Sequence, residues 1–171
     1  MGYSESTDDK PLMCFNAAKS WQLGWYSDRH VAVNPLTAGW SGRLVGISDY
    51  VSFVGDAVLV KINTSNVTDY YVNFNRMAGI NSGTREGGNQ VMIVSQGREG
   101  SGYSQSLLLA KLDAGNQVVI TNFDDTPFDV VIKVAEINLS ATPAYADIII
   151  SAPTRTAIFS SPTEPLHRIR K

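Results

Sequence analysis

Tyr70-Tyr71-Val72-Asn73-Phe74-Asn75 places Tyr70, Val72 and Phe74 on one side of an extended chain and Tyr71, Asn73 and Asn75 on the other. Successive side chains of a strand point to opposite faces, so this alternation predicts a half-buried strand. Working outward, similar short runs rich in β-branched and aromatic residues recur at Arg43–Asp49, Ala57–Asn63, Gln90–Ser95, Ser106–Leu112, Gln117–Thr121, Asp129–Asn138 and Asp147–Ser151. Gly, Asn, Asp and Pro separate them, which is turn chemistry. Asp113-Ala114-Gly115-Asn116 and Asp124-Asp125-Thr126-Pro127 read as tight hairpin turns. The fold class expected is mainly β: an antiparallel β-sandwich of about eight strands, preceded by a loop and one short helix.

That helix is read from Asn16-Ala17-Ala18-Lys19-Ser20-Trp21-Gln22-Leu23-Gly24. Asn16 can cap, the alanines favour helix, and Gly24 can end it. So short a helix must be held by packing. Residues 76 to 89 and 97 to 105 read as Gly-rich loops, since half of the fourteen glycines fall between Arg76 and Tyr103. Residues 153 to 171 read as a loose basic tail.

The chain has 171 residues, 43% hydrophobic and 18% charged. That suits one folded unit and not a disordered one. A net charge of −2 supplies no field to hold a polyanion, so no nucleic-acid partner is expected. No apolar run reaches the ~18 residues needed to cross a bilayer, so no membrane partner is expected either. The N-terminal stretch has no basic patch followed by an apolar run, hence no signal peptide in this chain. Cys14 is the single cysteine, so an intrachain disulfide is impossible. It reads as a small core residue, or as a thiol whose partner lies on other sequence.

Catalytic patterns are sparse. The two histidines, His30 and His167, lie far apart, and no His-Glu-x-x-His is present. Three-ligand hydrolytic zinc cannot be built from them. His30 reads as a loop residue at the sandwich edge and His167 as a tail residue. No Gly-x-Ser-x-Gly is present. A Cys14–His30 pair is the sharpest nucleophilic possibility, and it requires the two side chains within hydrogen-bonding reach. Gly83-Thr84-Arg85-Glu86-Gly87-Gly88-Asn89 lacks the Lys-Ser/Thr ending of a phosphate loop and reads as a mobile hairpin loop. Asp124, Asp125 and Asp129 could share a Ca²⁺ with loop carbonyls, or serve as ordinary turn residues. Asn63-Thr64-Ser65, Asn66-Val67-Thr68 and Asn138-Leu139-Ser140 are sequons, making Asn63, Asn66 and Asn138 glycosylation candidates on a secreted chain.

Met1-Gly2-Tyr3, followed by Met13-Cys14-Phe15-Asn16-Ala17-Ala18-Lys19-Ser20-Trp21-Gln22-Leu23-Gly24-Trp25, resembles the gametolysin family of secreted zinc metallopeptidases. In that family a Met-Gly turn follows the HExxHxxGxxH helix, and a Cys-x-Asn-Ala-x-x-x-Trp-Gln-Leu-Gly-Trp segment comes next. Phe74-Asn75-Arg76, Gly79-Ile80-Asn81 and Glu86-Gly87-Gly88-Asn89-Gln90 are similar to the C-terminal part of algal and diatom members. The resemblance implies that Met1 and Gly2 form the Met-turn, a metzincin-type floor under the zinc ligands, and that Tyr3 sits where some members place a tyrosine near the metal. Residues 1–30 would then be the C-terminal remnant of the catalytic domain, 31–152 a β-sandwich domain, and 153–171 the tail.

On this resemblance the parent is an extracellular zinc metalloendopeptidase acting on protein or glycoprotein substrates. Its upstream catalytic segment would be the partner of this chain. The three His ligands and catalytic Glu have no counterpart here, so zinc belongs to the intact parent, no metal is expected on this chain, and the chain alone is expected to be inactive. Residues 1–24 are then expected to be poorly anchored, with exposed aromatics. The alternative is a stand-alone β-sandwich module binding carbohydrate or protein. It would be favoured by a solvent-facing row among Trp40, Tyr50, Tyr70, Tyr71 and Tyr103, because sugars stack on aromatic rings.

Overall fold

The computed structural model describes residues 14–52, 55–97 and 105–152. Helix α1 spans Ala17–Gln22. Among the described residues nine strands follow: β1 His30–Val33, β2 Trp40–Val45, β3 Leu59–Ile62, β4 Thr68–Phe74, β5 Val91–Gly97, β6 Leu107–Leu112, β7 Gln117–Ile120, β8 Val130–Asn138 and β9 Tyr145–Ser151. They form a five-stranded sheet in the order β1-β3-β4-β5-β6 and a four-stranded sheet in the order β2-β9-β8-β7. The fold is the expected β-sandwich, with one addition. Strand β1 pairs with β3 in parallel, His30 opposite Leu59 through Val33 opposite Ile62. His30 therefore begins a strand rather than lying in a loop.

Two-residue periodicity builds the core. On the larger sheet Val60, Ile62, Val72, Phe74, Val91 and Ile93 point inward, and on the smaller sheet Leu44, Ile132, Val134, Ala146, Ile148 and Ile150 meet them. The smaller sheet exposes its other face, with Val119 and Ile149 partly in water. The larger sheet does not. Its alternate residues Leu59, Tyr71 and Val94 pack with Ala17, Ala18 and Val45 in a second buried cluster. The 70–75 strand is thus covered on both faces rather than half-buried. Its near-continuous burial from Asp69 to Phe74 is what a strand between two layers requires.

Helix α1 is that outer layer. Asn16 caps it, its Oδ1 accepting from the Lys19 amide at 3.1 Å, and Gly24 closes the turn at φ +69°. Ala17, Ala18 and Ser20 are fully buried. Small side chains let the helix backbone lie directly on the sheet, so this stretch is anchored, against the expectation of a loose segment. The described aromatics of this stretch, Phe15 and Trp21, are half-buried rather than exposed; Leu23 (54%) and Trp25 (45%), after the helix, are exposed. Residues 1–13 lie outside the described residues.

The two expected turns behave differently. Residues 121–129 join β7 and β8, which pair as a hairpin. The 113–116 turn instead carries the chain from the edge of one sheet (β6) to the edge of the other (β7), so it is not a hairpin. The Gly115 amide donates to the Val134 carbonyl, and the Val134 amide to the Asn116 carbonyl, which ties the crossing to β8. Opposite that side, Ala57 closes the sandwich against β2: the Val45 amide donates to its carbonyl and its own amide to the Arg43 carbonyl.

Candidate functional site

Where β1 and β2 diverge on either side of Ala57, the surface opens into a cleft of about 390 Å³, lined by Asp28, His30, Trp40, Ser41, Arg43 and Asp56 among others. Trp40 and Gly42 share one face of β2, and the indole folds over the glycine. A Cβ at position 42 would lie 2.5 Å from the ring, so the ring's place depends on the missing side chain. Arg43 is fixed from two sides, its guanidinium 3.7 Å from the Tyr145 ring centroid and its Nε donating to Asp147 Oδ1 at 3.3 Å. Asp28 is held by the Tyr50 hydroxyl, which donates to its Oδ1 at 2.7 Å.

Arg29, 8% exposed, also lines the cleft. Its Nη2 donates to the Tyr50 carbonyl at 2.8 Å and its Cζ stands 4.8 Å from the Tyr50 ring centroid. Among the described residues Nε and Nη1 have no hydrogen-bond partner. A buried cation is costly, and the carbonyl and the π face offset part of that cost. None of Asp28, Arg43 or Asp56 was singled out by motif reasoning. The only sequence signal is the Trp40-x-Gly42-Arg43 spacing, which leaves room beside a ring on a strand face.

His30 is committed elsewhere. Its ring stacks on Trp21, centroids 4.1 Å apart and planes 12° from parallel. Nε2 lies 2.8 Å from the Trp25 carbonyl, which can only accept, so Nε2 carries the hydrogen. Burial holds its pKa below the ordinary value, against the opposing pull of that carbonyl and of Asp28. The Cys14–His30 pair is not formed, since no hydrogen bond joins the two side chains. Burial also raises the Cys14 thiol pKa, the wrong direction for a nucleophile. Zinc does not fit this chain's described residues: they hold no group of three or more His, Cys, Asp or Glu side chains able to bind a metal, and the one histidine among them is engaged as above.

The acidic turn serves hydrogen bonding. Asp124 accepts from the Ser65 amide at 2.7 Å, the Ser65 hydroxyl at 2.7 Å and the Asn66 amide at 3.1 Å. Asp125 accepts from Asn66 Nδ2 at 3.0 Å, and Asp129 from the Asn122 amide at 3.0 Å. The three carboxylates face N–H and O–H donors instead of converging on one point. The turn's positive-φ residues, Asn122, Asp124 and Asp125, are types that tolerate that conformation. Two of the sequons, at Asn63 and Asn66, lie on the β3–β4 loop that Asp124 grips. Asn138 Oδ1 accepts from the Ser140 amide and hydroxyl and from the Ala141 amide.

The solvent-facing row of aromatics that would favour a binding module is absent from the described residues. Tyr71 is 2% exposed beneath α1, and Tyr70 faces the other way, its ring 5.9 Å from Phe123. Tyr50 turns to Asp28; of these rings, Trp40 is the one that lines the cleft among the described residues, and it also packs in part against the core. Nor is the 76–89 loop an untied hairpin. Asn75 Nδ2 donates to the Glu86 and Gly87 carbonyls, Asn81 Nδ2 to Asn75 Oδ1 and the Arg76 carbonyl, and Asn89 Oδ1 accepts from Arg76 and the Met77 amide. The Cys14 amide donates to Asn81 Oδ1, linking this loop to the start of α1. Met1, Gly2, Tyr3, Tyr103 and His167 lie outside the described residues. Compared with known proteins, the chain matches no family model, no curated protein and no solved structure.

Proposed function

We propose that this chain is the C-terminal portion of a gametolysin-like zinc metalloendopeptidase, an extracellular enzyme acting on matrix glycoproteins, and that its sandwich is the ancillary module of that enzyme. The support is the Cys14–Trp25 segment. One observation carries the reading furthest: the residues that bear the resemblance also do structural work. Asn16 caps the helix, Ala17 and Ala18 meet the sheet with no exposure, and Trp21 lies over His30 and Tyr71.

In this reading the zinc, its histidines and the catalytic carboxylate are supplied by the upstream catalytic segment, and this chain alone is not catalytic. Its role is to seat the segment after the Met-turn on a rigid sheet. Extracellular residence, with glycans at Asn63, Asn66 or Asn138, belongs to the same proposal. The cleft beside Trp40 favours a second reading, a stand-alone carbohydrate- or protein-binding module. Sequencing the transcript 5′ of the Met1 codon separates the two. An open frame continuous with Met1 and encoding His-Glu-x-x-His is expected; an upstream frame without that motif overturns the peptidase reading.

A further inference from the structure

We propose that the cleft between β1 and β2 binds a neutral sugar unit of a glycan, with the Trp40 indole as the stacking face and Asp28, Asp56 and Arg43 as partners of its hydroxyls. The proposal stands independently of the peptidase reading.

Four observations carry it. The first is size and composition: about 390 Å³ lies at the small end of ligand pockets, and an apolar ring with a few placed polar groups is their usual make-up. The second is charge. Asp28 and Asp56 oppose Arg29 and Arg43 around the lining, which leaves no net field for a polyanion or a polycation. Carboxylate and guanidinium pairs do suit a ligand whose every hydroxyl both donates and accepts.

The third observation is availability. Arg29 gives only Nη2 to Tyr50 and is itself buried, whereas Arg43, whose side chain is 42% exposed, uses only Nε among the described residues. Its two Nη groups are therefore free to donate outward. Asp28 commits Oδ1 to Tyr50 and keeps Oδ2. Asp56 lies close enough to Arg43 for their charges to interact and makes no hydrogen bond through its side chain among the described residues. The fourth is rigidity. Arg43 is clamped between Tyr145 and Asp147, Asp28 is clamped by Tyr50, and Gly42 sets the place of Trp40. Groups held in advance lose little entropy on binding.

The test is calorimetric titration of the 171-residue protein with four neutral hexasaccharides, built on cellulose, β-1,3-glucan, mannan and xylan, and with a heparin hexasaccharide as the anionic probe. At least one neutral sugar should saturate the protein below about 10 mM. Trp40→Ala should weaken that binding by about tenfold or more, as expected for loss of a stacking ring. Gly42→Ala should weaken it several-fold by displacing the ring. Asp56→Asn, at a half-exposed site where folding is not at stake, should also weaken it. The proposal is overturned if no neutral sugar saturates, if binding is indifferent to both Trp40→Ala and Asp56→Asn, or if the heparin probe binds more tightly than every neutral one. Saturable binding of an unglycosylated casein peptide at Trp40, with no neutral sugar binding, overturns it in favour of a peptide site.

Discussion

Trp21→Ala removes the side chain through which α1 grips the larger sheet. Truncating a fully buried Trp costs about 3–5 kcal/mol. Trp21 is only half-buried, so about half of that applies to the lost burial. The stacked contact with His30 at 4.1 Å and the edge contact with Tyr71 at 6.2 Å are each worth about 0.5–1.5 kcal/mol beyond area. Their loss overlaps with the burial term, and the total comes to about 2–4 kcal/mol. For a chain of this size that corresponds to a fall in Tm of roughly 6–12 °C. Urea unfolding followed by far-ultraviolet circular dichroism measures it, with one cooperative transition expected for wild type and variant. A second readout is the His30 imidazole. Burial is the first cause of its lowered pKa, so uncovering it in Trp21→Ala should move the NMR-detected pKa upward. A loss below about 0.5 kcal/mol with an unmoved His30 titration would refute the argument that this ring ties the helix to the sheet.

Other outcomes follow from the same geometry. His30 binds a proton less readily when folded than when unfolded, so stability should rise with pH between its lowered folded-state pKa and 6.5; thermal melts showing a fall across that window, attributable to His30 by its absence in His30→Gln, would contradict this. Asp124→Ala strips acceptors from the Ser65 and Asn66 donors and should cost about 1–2 kcal/mol in urea unfolding, with Asp124→Asn between it and wild type; no measurable change would show that the grip on the β3–β4 loop is idle. Cys14, its thiol pKa raised by burial, should react with iodoacetamide several-fold more slowly at neutral pH than an unhindered thiol; faster alkylation would contradict the assigned environment.

The sandwich was legible because its strands advertise it. Val60, Ile62, Val72, Phe74, Ile132, Val134, Ile148 and Ile150 keep a period of two, and Asn16 and Gly24 punctuate α1. What escaped reading was long-range. Nothing local in Asp113-Ala114-Gly115-Asn116 says that β6 and β7 belong to different sheets. His30-Val31-Ala32-Val33 is short, and its pairing with β3 is parallel, so no adjacent hairpin marks it. Double coverage of β4 depends on a helix more than forty residues earlier landing on Tyr71. The same applies to the cleft. Asp28, Trp40, Arg43 and Asp56 come from three separate stretches, and only the closure at Ala57 brings them together. The acidic turn shows the converse: Asp124, Asp125 and Asp129 look like cation ligands in sequence, but the loop at Ser65 and Asn66 presents donors to two of them and Asn122 to the third.

The unity of α1 and the sheet is most directly measured by native-state hydrogen exchange. The amides of Ser20, Leu23 and Trp25 donate to the carbonyls of Asn16, Lys19 and Ser20. If the helix and sandwich open only together, these amides exchange with the same protection free energy as those of Val72 and Ile93 at the sheet centre. Exchange of the helix amides at nearly unprotected rates, while the sheet stays closed, would contradict it.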